Sequence, residues 1–325
     1  MVTRSTSHAR EDSVFESIAE DSTSGASSLA IRAAEELSGA AGSFASSDPG
    51  SFWDDLTAAC SELLAAGRDM APVVNLVGNV LSGAERMVLS GAAPDTVLHA
   101  VQLECQRITE FGEERLRDVG ENGAGFIDEG SVVYTTSDSG SVRAVLESAA
   151  RAGRRFEVVL SESRPALEGL GLARFASELR VQTTLVADAA LPGLVEAGGL
   201  VLLGADSVSE GSFVNKIGSY ALALAAREAD VRCCVSATTD KLLPGPLRGD
   251  PTRPRDGSEL LEKPPERVRP LNRYLEEVPN SLLRTLVTED GPVAPEEIPG
   301  LLKERPVSPA LLQLLYPRES AGSAG

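Results

Sequence analysis

The sequence predicts an α/β protein: an amino-terminal helical domain followed by a doubly wound, mostly parallel sheet. Three observations predict it. Over residues 13–125 apolar side chains recur at intervals of three and four, the period of helices with one buried face. After "ENGAGFIDEG", at 121–130, the period changes, and short Val-rich runs alternate with helical segments. Composition agrees: 42% of residues are hydrophobic but only 4% aromatic, which suits helices packed on a sheet rather than an aromatic binding platform.

The helical stretches are "SSLAIRAAEELSGA", "SFWDDLTAACSELLAAGRD", "APVVNLVGNVLSGAERMVLSG" and "APDTVLHAVQLECQRITEFGEERLRDVG". Serine, aspartate and proline stand at their starts and glycines near their ends. The strands that follow are "SVVYTT", "FEVVLSE", "QTTLVAD", "LVLLGA" and "VRCCVSA". Between them lie the helical segments "VRAVLESAARAG", "LARFASELR", "LPGLVEAG" and "KIGSYALALAARE". Strands interleaved with helices need parallel crossovers, so residues 126–318 form a sheet domain with helices on both faces. Residues 243–272, rich in proline and arginine, form a long loop: either a lid or partner-contact segment, or a mobile insertion. The stretch "EEVPNSLLRTLVTEDGPVAPEEI" closes the domain, and residues 1–12 and 319–325 read as disordered tails.

Charge and cysteine usage exclude several classes of function. A formal charge of −18 repels phosphate backbones and anionic lipid, so neither nucleic acid nor a membrane is an expected partner. The cysteines Cys60, Cys105, Cys233 and Cys234 lack CxxC spacing and read as reduced core thiols of a cytoplasmic protein. With only His8 and His99, no metal site is expected, and no cofactor either. No apolar run approaches the about 20 residues of a membrane span, and "MVTRSTSHARED" lacks the apolar stretch of a signal peptide.

In doubly wound sheets ligands bind beyond the carboxyl ends of the strands, which directs attention to the residues after each one: Thr135 to Ser141, Ser161 to Pro165, Asp188, Asp206 and Thr238 to Lys241. The apolar run "LVLL" delivers Asp206 to the sheet edge, and Asn215 with Lys216 is expected to open the next helix, where amides and an ammonium would seat a phosphate. The bland alternative makes Asp206 a turn cap and Lys216 a solvated helix residue. Arg164 likewise either grips phosphate as a fork or pairs with Glu162. In "VVYTTSDSGSV", Ser137 and Ser139 form a small hydroxyl turn before a helix beginning at Gly140, fit to hold an anion's oxygens.

"SESRP", "LVAD", "GAD" and "NKIGSYALALAA" occur in this order at familiar intervals. The stretch resembles the family that joins the α, β and δ subunits of eukaryotic translation initiation factor 2B with the isomerases acting on 5-methylthioribose 1-phosphate and ribose 1,5-bisphosphate. The resemblance is strong over 130–242 and good in "EEVPNSLLRTLVTEDG", and faint in the helical domain. It implies a Rossmann-like carboxyl-terminal domain, a sugar-phosphate pocket between the two domains, and homodimers. Gly204, Ala205 and Asp206 match the isomerases' acid–base motif, and Asn215, Lys216 and Gly218 match as well.

The chain departs from the isomerase pattern at three places. Where the isomerases carry His-Cys-Asn it has Thr136, Ser137 and Asp138, and a serine hydroxyl is far less acidic than a thiol. Asp138 is the candidate substitute base. In the counterpart of the isomerases' Arg-Gly-Ala segment, Gly25 and Ala26 match but Ser24 holds the arginine position. Arg68 matches a second substrate-binding arginine, beside Asp69 where the family has proline, and that carboxylate disfavours a bisphosphate. The expected function is therefore an initiation-factor-2B-like protein that binds a sugar phosphate or nucleotide without isomerase activity. The alternative is an aldose–ketose isomerase of a phosphorylated ribose that uses Asp206.

Overall fold

The computed structural model describes residues 14–20, 25–44, 48–305 and 307–317. Both expected tails and Ser24 lie outside the described residues. The first half is helical, with α1 (Glu16–Glu20), α2 (Ala26–Gly42), α3 (Pro49–Gly67), α4 (Ala71–Leu89) and α5 (Pro94–Ala124). Proline stands in the first turn of α3, α4 and α5, where its missing N–H costs nothing. Asp48 caps α3, its carboxylate accepting from the amides of Gly50 at 2.9 Å and Ser51 at 3.1 Å. Leu29, Leu37, Leu56, Leu63, Leu76 and Leu81 form the centre of this half's core.

The second half runs β1 (Val132–Thr135), α6 (Gly140–Arg151), β2 (Glu157–Ser161), α7 (Gly169–Glu178), β3 (Gln182–Val186), β4 (Leu200–Leu203), β5 (Ser207–Val208), β6 (Ser212–Lys216), α8 (Ser219–Glu228), β7 (Arg232–Ser236), β8 (Leu275–Pro279), β9 (Thr285–Thr288), β10 (Gly291–Val293), α9 (Ile298–Lys303) and α10 (Pro309–Leu315). "LPGLVEAG" forms only a 3-10 turn at Leu191–Leu194, because Pro192 and Gly193 interrupt a helix there. Seven strands form one sheet in the order β10-β9-β7-β4-β1-β2-β3, parallel except for β10. The chain leaves β1 toward β2 and β3, then returns to place β4 on the other side of β1. That reversal opens a crevice beyond the carboxyl ends of β1 and β4.

A second, antiparallel sheet of order β5-β6-β8 was not anticipated from the sequence. It corrects the expectation that Asn215 and Lys216 open a helix, since both belong to β6, paired with Glu276 and Leu275 of β8. Phe213 and Val214 are both buried, one on each face of the strand, so an extended backbone buries more here than a helix would.

The two halves are tightly joined. Where α5 crosses α6, a Cβ on Gly120 would lie 2.6 Å from the Ala144 carbonyl oxygen, so only glycine permits the approach. Asn75 of α4 donates to the carbonyls of Asp240 at 2.5 Å and Leu242 at 3.0 Å, and Asn122 of α5 donates to those of Thr288 and Glu289. The last helix, α10, returns to the helical half and buries Leu311 and Leu315 in its core.

Candidate functional site

At the crevice lies a cleft of 460 Å³ between the sheet and the start of α2. This is within the usual range for a small-molecule site. One wall is the turn after β1. Thr136 turns toward β2, its Oγ1 sharing a proton with Ser161 Oγ at 2.9 Å, and the Ser137 amide donates to Ser163 Oγ at 2.7 Å. Ser137 has a φ of 66°, a left-handed conformation that a serine adopts only when its surroundings hold it there. Among the described residues no side chain accepts a hydrogen bond from Ser137 Oγ. Both Asp138 oxygens are taken by Arg143, at 2.5 Å from Nε and from Nη2, and that guanidinium lies 4.6 Å from the centre of the Phe175 ring. Asp138 is therefore an anchor for Arg143 rather than an unengaged base.

The opposite wall follows β4. Gly204 is required because a Cβ there would lie 2.4 Å from Ser139 Oγ, so the two strand-end turns touch. Asp206 donates its amide to Val214 across the β5–β6 hairpin at 2.8 Å and its side chain lines the cleft. Burial pushes its carboxyl above the usual carboxylate range. The ammonium groups of Lys241 and Lys216 pull it back, and the Glu168 carboxylate adds to the rise.

Lys216 is buried, with Nζ 2.6 Å from Glu168 Oε1 and 4.9 Å from the centre of the Tyr274 ring. Asn215 Nδ2 donates to Ser219 Oγ, which fixes the turn into α8. The start of α8 is no phosphate seat: the amides of Gly218 and Tyr220 both donate to Glu276 Oε1, at 2.7 and 2.9 Å. Lys241, in the 3-10 turn after β7, is buried and completes the floor. From the long 243–272 loop Arg255 reaches the rim, where Asp69 holds it at 3.2 Å.

These placements match a known architecture. Residues 22–295 match the initiation factor 2 subunit family, IF-2B. The chain belongs to that family. A ribose 1,5-bisphosphate isomerase from Haloterrigena turkmenica is 30% identical over 295 residues, covering 86% of this chain and 89% of the relative. A methylthioribose-1-phosphate isomerase from Thermotoga neapolitana is 29% identical over 236 residues, covering 66% of this chain and 68% of the relative. The crystal structure of the Pyrococcus horikoshii translation initiation factor eIF-2B superposes with a TM-score of 0.73 at 26% identity, over 87% of this chain and 96% of that one. Among the described residues no helix is long and apolar enough to cross a membrane.

Of the residues singled out in the sequence, Gly25, Ala26, Ser137, Asp138, Ser139, Asp206, Asn215 and Lys216 line the one cleft. Arg164 and Arg68 do not. Asp188 accepts from the amides of Ser163 and Arg164, both at 2.8 Å, and this fixes the loop so that the Arg164 side chain runs outward to the Glu259 carbonyl. The alternative pairing with Glu162 does not form among the described residues either. Arg164 borders a separate hollow with Pro165, Leu191 and Ile217. Arg68 ends α3 with its guanidinium 5.4 Å from the Tyr316 ring, and the cleft-lining residue of that segment is Met70. The cysteines supply no thiol either: all four are free, buried and absent from the cleft wall. Sequence reasoning missed Glu168, Arg143, Arg255 and Tyr274 as site residues. Only Lys241, already at a strand end, carried a local signal.

Proposed function

We propose that the cleft binds a phosphorylated pentose and that Asp206 moves a proton between its first two carbons, interconverting aldose and ketose. The observation that carries this reading is Asp206 itself, a buried carboxyl in the wall of the cleft on which the Lys241 and Lys216 ammonium groups both act. A carboxyl so placed can exchange a proton with a bound sugar. The ring opens at the C1–O4 bond as O4 takes a proton. The Asp206 carboxylate takes the proton from carbon 2, and the electron pair left behind forms the C1=C2 bond of an enol 1-phosphate. A proton that exchanges with solvent is then delivered to carbon 1 as the 2-hydroxyl gives up its own to become the ketone. Lys241 acts on Asp206 and pairs with no carboxylate among the described residues, so its charge is available to balance the negative charge that develops on the sugar oxygen. The relatives support the substrate class, since both isomerases are named for phosphorylated pentoses.

Ser137 favours a second reading, binding without turnover, because it stands where the resemblance places a thiol and has no hydrogen-bonded base among the described residues. Proton exchange at carbon 2 of aldose 1-phosphates in deuterium oxide separates the two. Exchange by the wild type that is lost in Asp206→Asn supports the isomerase. A rise in melting temperature with ligand but no exchange refutes it in favour of the binding protein.

A further inference from the structure

Two oxygens in the cleft walls lack partners. Glu168 Oε2 and Ser139 Oγ are buried and form no hydrogen bond among the described residues, and both residues line the cleft. Buried polar atoms without partners are costly, so each favours an occupant that satisfies it. Their chemistries differ. The serine hydroxyl can donate to a phosphate oxygen, whereas a carboxylate oxygen only accepts and its charge opposes an anion.

The cleft's cations are already largely matched. Arg143 is held by Asp138, Lys216 by Glu168 and Arg255 by Asp69. Lys241 forms no ion pair among the described residues and acts on Asp206 at longer range. A phosphate group carries about 1.5 to 2 negative charges near neutral pH. One unmatched ammonium and the Ser139 hydroxyl, both in the lining of the cleft, suit one such group. A second phosphate finds no free cation at the Glu168 side, and a chain of net charge −18 supplies no background attraction.

We propose that the cleft selects a singly phosphorylated pentose over a bisphosphorylated one, with Glu168 as the discriminating residue. Its Oε2 accepts a hydrogen bond from a free sugar hydroxyl, at a place where a second phosphate would meet a carboxylate. This inference rests on the sugar-phosphate reading above. It assigns to one side chain a choice that the family makes both ways, since one relative is named for a bisphosphate and another for a monophosphate.

Titration calorimetry of the full chain with ribose 1-phosphate and with ribose 1,5-bisphosphate tests it, on wild type and Glu168→Gln. The wild type is expected to bind the monophosphate roughly tenfold more tightly. In Glu168→Gln the amide can donate and Lys216 is released, so the preference narrows by roughly tenfold through a gain in bisphosphate affinity. Equal or tighter binding of the bisphosphate by the wild type, or a preference unchanged in the variant, overturns this inference and leaves the proposed function standing. Binding of neither compound overturns both. If the variant does not fold, competition on the wild type decides: bisphosphate that displaces ribose 1-phosphate at equal concentration refutes the selection.

Discussion

Removing the Lys216 charge probes the cleft's electrostatics most directly. Its Nζ lies 2.6 Å from Glu168 Oε1, and the two side chains are only 3% and 13% exposed, so solvent screens the pair little. Lys216→Met keeps the length of the stem and leaves the Glu168 carboxylate buried with neither oxygen paired. Breaking a buried pair from one side costs about 3–5 kcal/mol, and the partial exposure of Glu168 to the cleft places this case near 3 kcal/mol. Glu168→Gln leaves the ammonium instead, but the Tyr274 ring still faces it at 4.9 Å. A cation over a desolvated ring gains roughly 1–2 kcal/mol, so the loss falls to about 2 kcal/mol. The double variant buries no charge at this position and should also lose about 2 kcal/mol, which makes the coupling about 3 kcal/mol. Urea unfolding of the four proteins, followed by circular dichroism, measures the cycle. Single losses that add to within about 0.5 kcal/mol would refute the buried pair as the structure describes it.

Asp206 makes a prediction in pH. Its folded carboxyl titrates above the reference value of 3.8, so its ionisation takes stability away as pH rises from there through the folded value. The melting temperature of Asp206→Asn relative to wild type should therefore climb over that window and then level off; a difference independent of pH contradicts the shift. Gly120→Ala forces a methyl to 2.6 Å from the Ala144 carbonyl and should cost about 1–3 kcal/mol, read as a lower urea midpoint. The Cys105 and Cys234 thiols are pushed up to about 12 by burial, so Ellman's reagent should leave all four buried cysteines untouched at neutral pH until denaturant is added. The homodimer implied by the family resemblance predicts twice 34.0 kDa by light scattering, and a mass of one chain would remove it.

Strand ends were legible because a strand's identity is largely local. "LVLL" is apolar on both faces, as a strand covered by helices must be, and the Gly-Ala-Asp that follows marks where it stops; Asp206 could be placed at a sheet edge from those residues alone. The same holds for Ser137 to Ser139 after "VVYT". The run "NKIGSYALALAA" was not decidable in this way. Its alanines and leucines extend a helical pattern back to Lys216, and only pairing with β8, about sixty residues further on, makes Asn215 and Lys216 strand residues.

Arg164 and Lys216 show the same division at the level of chemistry. Both are cations near strand ends in the sequence, yet one is turned outward by Asp188 and the other is neutralised inside the cleft by Glu168. Period and punctuation depend on neighbours along the chain, and from these came the helical half and the parallel sheet. The destination of each charged side chain depends on which groups lie within a few ångströms. Those groups are set by the order β10-β9-β7-β4-β1-β2-β3 and by contacts between segments far apart in sequence, so the ion pairs that balance the cleft emerged only with the tertiary structure.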